Sequence, residues 1–227
     1  MKWRRIAPVV LSLGVGAFLG APALAQEETK KEEPPKTEAA PAEAAKPAEA
    51  AKPAAAAPSP EEAQALWTAY MTPGKEHEAL AKQDGTWTAK AKSWMAPGAT
   101  PEETDGTSEM KMVLGGRYQM QTHEGTMMGQ PFSGIGYTAY DNYKKKYVSV
   151  WMDSAMTGIL KMEGNYDKSG KVMTMWGLMD DPVMKKSVTV KTVSRHVDDD
   201  TIKFEMFMPA PNGKIFKNLE MTYTRKK

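Results

Sequence analysis

The sequence predicts an all-β protein, a closed antiparallel up-and-down β-barrel of about ten strands with short N-terminal helices. Three observations carry this. From Thr86 onward apolar residues recur at every second position, as in Met110, Met112 and Leu114, in Ile202, Phe204, Met206 and Met208, and in Leu219, Met221 and Tyr223. Turn-forming clusters punctuate these runs at Gly115-Gly116, Asp167-Lys168-Ser169-Gly170, Asp198-Asp199-Asp200 and Pro211-Asn212-Gly213. No helical crossover separates the runs. The strands therefore follow one another as hairpins, and such a meander removes its exposed edges by closing on itself. A two-sheet sandwich is the alternative arrangement.

The first 25 residues read as an export signal. Lys2, Arg4 and Arg5 precede an apolar run from Val9 to Leu19, and Ala23-Leu24-Ala25 matches a cleavage site. The run is too short to span a bilayer. Cleavage after Ala25 and a periplasmic or secreted location are expected, with no stable membrane insertion afterwards. The chain contains no cysteine, which rules out disulfides, thiolate chemistry and a lipid anchor on cysteine.

Residues 26–60 are rich in Ala, Pro, Glu and Lys. Glu43-Ala44-Ala45-Lys46-Pro47-Ala48 repeats directly as Glu49-Ala50-Ala51-Lys52-Pro53-Ala54. Proline at each repeat interrupts the helix that Glu-Ala-Ala-Lys favours, and the segment has almost no large apolar side chains. A disordered linker is expected here, followed by the barrel domain over residues 61–227.

Two short helices are expected before the barrel. Ser59 can cap the first, with Pro60, Glu61 and Glu62 in its first turn. Leu66, Ala69 and Tyr70 share one of its faces. Pro73-Gly74 ends it, and a second helix from Lys75 to Gln83 places Leu80 under one end of the barrel. The strands are expected near 86–95, 104–114, 117–126, 131–141, 146–153, 157–166, 171–179, 186–196, 200–209 and 213–225.

The first and last strands carry the expected closure. Trp87, Ala89, Ala91, Ser93 and Met95 share a face on the first. On the last, Arg225 shares a face with Leu219, Met221 and Tyr223. A guanidinium on the inward face needs a partner, and an indole is a suitable one, worth about 0.5–2 kcal/mol. Trp87 and Arg225 are therefore expected to stack where the barrel closes.

Gly85-Thr86-Trp87 together with Arg225 resembles the signature shared by calycins, the lipocalins and fatty-acid-binding proteins among them. A longer resemblance covers about residues 73–226. Leu114-Gly115-Gly116-Arg117-Tyr118, Gly134-Ile135-Gly136-Tyr137-Thr138-Ala139-Tyr140-Asp141, Trp151-Met152-Asp153-Ser154 and Thr157-Gly158-Ile159 together resemble the bacterial family called domain of unknown function 1579. That resemblance implies a lipocalin-like barrel, but neither an activity nor any site residues.

Net charge is +2 with acidic and basic residues in close balance. Nucleic acid, which needs a concentrated basic face, is not an expected partner. Methionine is the unusual feature. There are 18, and all but Met1 lie from Met71 onward. Met-x-Met pairs at 110/112, 173/175 and 206/208 place both members on one face of a strand. They read as soft filler of an irregular core or as an adaptable apolar pocket; cuprous binding by thioethers lacks a compact Met/His cluster.

Of the three histidines, His123 shares parity with Gln119 and Gln121 and is expected to face water. His196 has no clear parity, and His77 lies in the second helix. No spacing suggests zinc, calcium or haem ligation, so no cofactor is expected. Glu124 shares parity with Tyr118, Met120 and Thr122, which places it inward near a rim. The face of Asp153, Trp151 and Ser149 alternates with that of Val148, Val150 and Met152, and the sequence leaves open which is interior. Beyond the signal the arginines are Arg117, Arg195 and Arg225. With Arg225 engaged at the closure, little remains to grip a fatty-acid carboxylate.

The reading is a barrel that binds a small apolar molecule in its interior, with Tyr118, Met120, Trp151 and Trp176 as expected contacts and Gly134, Gly136 and Gly158 leaving room beside them. The alternative is a structural or interaction module with a filled core. A haem-binding or enzymatic barrel comes third, because no nucleophile–base pairing is visible in the sequence.

Overall fold

A computed structural model describes residues 57–227. The expected export signal, and the expected linker as far as residue 56, lie outside the described residues. Helix α1 spans Pro60–Met71 and α2 spans Lys75–Ala81. Ten strands follow: β1 (Gly85–Ser93), β2 (Glu102–Val113), β3 (Tyr118–Met127), β4 (Gln130–Asp141), β5 (Lys146–Asp153), β6 (Leu160–Tyr166), β7 (Val172–Asp181), β8 (Lys186–Asp198), β9 (Thr201–Pro209) and β10 (Ile215–Arg225). Every strand pairs antiparallel with its sequence neighbour, and β1 pairs with β10, so the sheet is a closed up-and-down barrel.

The α1 N-terminus is a capping box. The Glu62 amide donates to Ser59 Oγ at 3.3 Å, and the Ser59 amide donates to Glu62 Oε2 at 2.7 Å. The other end is held by two hairpin side chains. Asn142 Nδ2 donates to the carbonyls of Ala69, Tyr70 and Thr72, and Arg117 Nη2 donates to that of Met71. These contacts satisfy carbonyls that a helix end leaves free. The face of Leu66, Ala69 and Tyr70 is exposed rather than packed on the barrel, and α1 buries no residue.

Helix α2 plugs one end. Leu80 is 1% exposed and packs with Tyr147, Leu160, Met162, Met173 and Met175. Gln119 Nε2 donates to the Leu80 carbonyl at 2.7 Å, and Tyr147 OH to that of Glu76 at 3.2 Å. At the same end Trp87 pairs in register with Arg225, and Trp87 Nε1 donates to the Gln83 carbonyl at 2.9 Å. A side chain at Gly85 would place its Cβ 2.8 Å from Arg225 Nη1. Glycine is therefore what allows the guanidinium to approach the first strand so closely.

The strands match the expected runs apart from their ends. Thr157-Gly158-Ile159 precedes β6 rather than opening it, because Asp153 Oδ1 accepts the amides of Ala155 and Met156 and turns the chain there. Strand β10 starts at Ile215, after the turn formed by Pro211, Asn212 and Gly213.

Candidate functional site: the barrel interior

The interior holds a cavity of about 450 Å³. Its floor is built by Leu80, Gln83, Tyr166 and His196 at the α2 end. Its mouth, at the opposite end, carries Trp94, Met95, Met127, Met128 and Met156. Between them the wall is supplied by inward positions of every strand. Methionine dominates it: Met110, Met162, Met173, Met175, Met179, Met206 and Met221 line the cavity, with Trp151, Phe132 and Phe204. Thioether side chains of this kind adapt to irregular shapes. The volume falls in the range of small-molecule sites, whereas a packed core leaves few voids larger than a water.

The expected contacts divide. Trp151 lines the cavity. Its face of β5, with Tyr147 and Ser149, is interior, which settles the choice that the alternation left open. The indole Nε1 donates to Asp153 Oδ2 at 3.0 Å. Tyr118, Met120 and Trp176 stand on the outer face. Tyr118 is 41% exposed and borders an external cleft of about 460 Å³ beside the α1–α2 connection. Trp176 is 53% exposed, with Lys191 Nζ 5.3 Å from the ring centre. Met173 and Met175 take the inward positions of β7, so Trp176, at the opposite parity, must point out. Gly134 and Gly136 seat the Trp151 ring: a Cβ would come within 2.2 Å and 2.8 Å of it, respectively. Gly158 has nothing within 4 Å.

Strand β3 is inverted relative to expectation. Gln119 and His123 are buried, and Gln121 lines the cavity, while Glu124 is exposed. The inward polar face is tied together across strands. Ser108 Oγ and His123 Nδ1 lie 2.9 Å apart; Gln121 Nε2 donates to Tyr223 OH at 3.3 Å and to Ser108 Oγ at 3.5 Å. Ser108 is 1% exposed and stands behind the imidazole, so the pair braces the wall. A second chain crosses the floor. Gln83 Nε2 donates to Tyr166 OH at 3.4 Å, and that hydroxyl lies 3.1 Å from His196 Nε2.

Burial holds both imidazoles below their ordinary 6.5, His123 despite the opposing pull of Glu124. It also pushes the hydroxyls of Tyr166 and Tyr223 up to about 12. The cavity wall is therefore uncharged at neutral pH apart from Glu102 and Asp153 at the mouth. The signal for these polar wall residues was present in β3, where Gln119, Gln121 and His123 alternate as regularly as the apolar set.

A closed antiparallel barrel plugged by a helix at one end and open onto a cavity at the other is a calycin-like fold. The chain belongs to the family described as protein of unknown function (DUF1579), whose model matches residues 72–225. Among solved structures it is similar to Rv2717c from M. tuberculosis, at 18% identity and a TM-score of 0.52, over 69% of this chain and 100% of that one. The S-type phycobiliprotein lyase CPES from Guillardia theta is 12% identical with a TM-score of 0.49, over 75% of this chain and 99% of the lyase. No curated protein matches the chain.

Proposed function

We propose that the protein is an exported carrier that holds a small apolar molecule inside its barrel, and that it is a binding protein rather than an enzyme. The observation that carries this reading is the methionine-lined cavity of about 450 Å³, closed by α2 and reached from the opposite mouth. An apolar molecule entering it removes its own surface from water and that of the wall, a gain of about 25 cal/mol per Å² before the costs of association. Export rests on the charged start, short apolar run and Ala-x-Ala of residues 1–25. On that basis the proposal assigns the carrier to the periplasm or the outside of the cell. The outer-face positions of Tyr118, Met120 and Trp176 take them out of the binding set, and Trp151 stays in it.

The test is native mass spectrometry of the protein purified from its own host. The carrier reading expects a non-covalent adduct of small mass that is lost on denaturation. A spectrum showing the bare polypeptide alone, with no uptake when apolar compounds are added back, contradicts it.

A further inference from the structure

The mouth of the cavity has a chemical sign. Among the residues that line the interior there is no Lys or Arg, and the two charged ones are Glu102, at the start of β2, and Asp153, at the end of β5. Neither forms an ion pair among the described residues. Asp153 accepts from the Trp151 indole and from the amides of Ala155 and Met156, which are neutral donors. Lys217 stands by the mouth residue Trp94, its Nζ 5.8 Å from the ring centre. It is held by Glu205 at 2.9 Å and by Glu220.

Two further polar groups point to a ligand that donates hydrogen bonds. Asn218 is the extra residue of a β-bulge between Lys217 and Leu219, and it lines the cavity beside Trp94. Bulges re-aim side chains in this way beside functional sites. The Asn218 Oδ1 atom is buried with no hydrogen-bond partner among the described residues. Deeper in, Ser149 is 8% exposed, lines the cavity, and its Oγ is also buried without a partner. A buried polar atom without a partner costs about 1–3 kcal/mol, so each is a place where a ligand group would be favoured.

We infer that the cavity selects apolar molecules bearing a cationic, hydrogen-bond-donating head, a lipophilic amine being the simplest, with the head at Glu102, Asp153 and Asn218. The apolar body lies among the thioethers and the Trp151 ring. A carboxylate head in the same place meets two like charges and no cation, and loses its hydration without compensation. An ammonium head at the mouth is attracted by the carboxylates of Glu102 and Asp153, with no lining Lys or Arg to offset them. This inference rests on the carrier reading above and narrows it by head-group charge.

The test uses three competitors with one chain, namely dodecylammonium, dodecanol and dodecanoate, each below its critical micelle concentration. They displace Nile red from the full chain. Dodecylammonium is expected to displace the dye at a concentration about tenfold lower than dodecanoate, with dodecanol between them. Glu102→Gln should narrow that ratio, and Glu102→Gln with Asp153→Asn should abolish it; melting curves of both variants confirm that they fold. Dodecanoate displacing as well as dodecylammonium, or a ratio unchanged in the folded variants, overturns the inference while leaving the carrier reading intact. Failure of Nile red and all three competitors to bind overturns both.

Discussion

Arg225 sits over Trp87, its guanidinium carbon 4.2 Å from the ring centre. The same side chain donates to the carbonyls of Asp84, Lys82 and Asp199 and forms an ion pair with Asp200 at 3.2 Å. One residue on the last strand thus binds the first strand, the segment entering it and the β8–β9 turn. The fork geometry of a guanidinium makes this possible, since a point charge could not stack and donate in three directions at once.

Arg225→Met should therefore destabilise the protein by about 2–4 kcal/mol, from the lost stack and the carbonyls left unpaired. Arg225→Lys should recover less than half of that. Chemical denaturation of the three proteins checks both values. Equal stability of the Lys variant and the wild type would show that charge alone closes the barrel.

The glycines beside Trp151 are expected to behave differently from Gly158. A Cβ at Gly134 meets the indole at 2.2 Å, while one at Gly158 meets nothing within 4 Å. Gly134→Ala should displace the ring, changing tryptophan emission and costing about 1–3 kcal/mol. Gly158→Ala should stay within about 0.5 kcal/mol of the wild type. Emission spectra and melting curves of the pair distinguish a fitted seat from mere backbone freedom.

The sequence reveals the barrel more fully than its lining. Alternation, hairpin turns and the Trp87–Arg225 pair mark the architecture because each is local or sits at a chain end. Which face of a strand is interior depends on what the interior is. In β3 the inward set is Gln119, Gln121 and His123, and the outward set includes Tyr118 and Met120. A cavity with a polar brace inverts the usual sorting of apolar residues inward, so hydrophobicity misassigns that strand. Trp176 was excludable from sequence, since its parity on the strand is opposite to that of Met173 and Met175 and it cannot share their face. Nothing local marks Asn218, whose position depends on a bulge in the β9–β10 register.

Acid should weaken the fold before ordinary carboxylates titrate. His123 and His196 are held below 6.5 by burial, whereas in the unfolded chain both titrate near 6.5. The unfolded state therefore binds more protons below that pH, and stability falls with it. The melting temperature should be flat from about pH 8 to 7, then drop as pH falls from about 6.5. His123→Gln should reduce the slope. A wild-type melting temperature unchanged between about pH 7 and 5 would contradict the burial of both imidazoles.

Export predicts a mature N-terminus at Gln26. Sequencing the N-terminus of protein recovered from outside the cytoplasm checks it. An exported chain beginning at Met1 would refute cleavage after Ala25.

The carrier account stands most directly on Trp151, the large side chain that reaches the cavity from β5. Nile red titration of the wild type, run beside denaturation of Trp151→Ala, measures it. In a filled core, removing this ring should cost about 3–5 kcal/mol, with no dye uptake by the wild type. At the wall of a cavity the account predicts saturable uptake by the wild type, altered affinity in Trp151→Ala and a stability loss below about 2 kcal/mol. A wild type that takes up no dye, together with a Trp151→Ala variant that loses the full core penalty, would contradict the account and leave only the barrel.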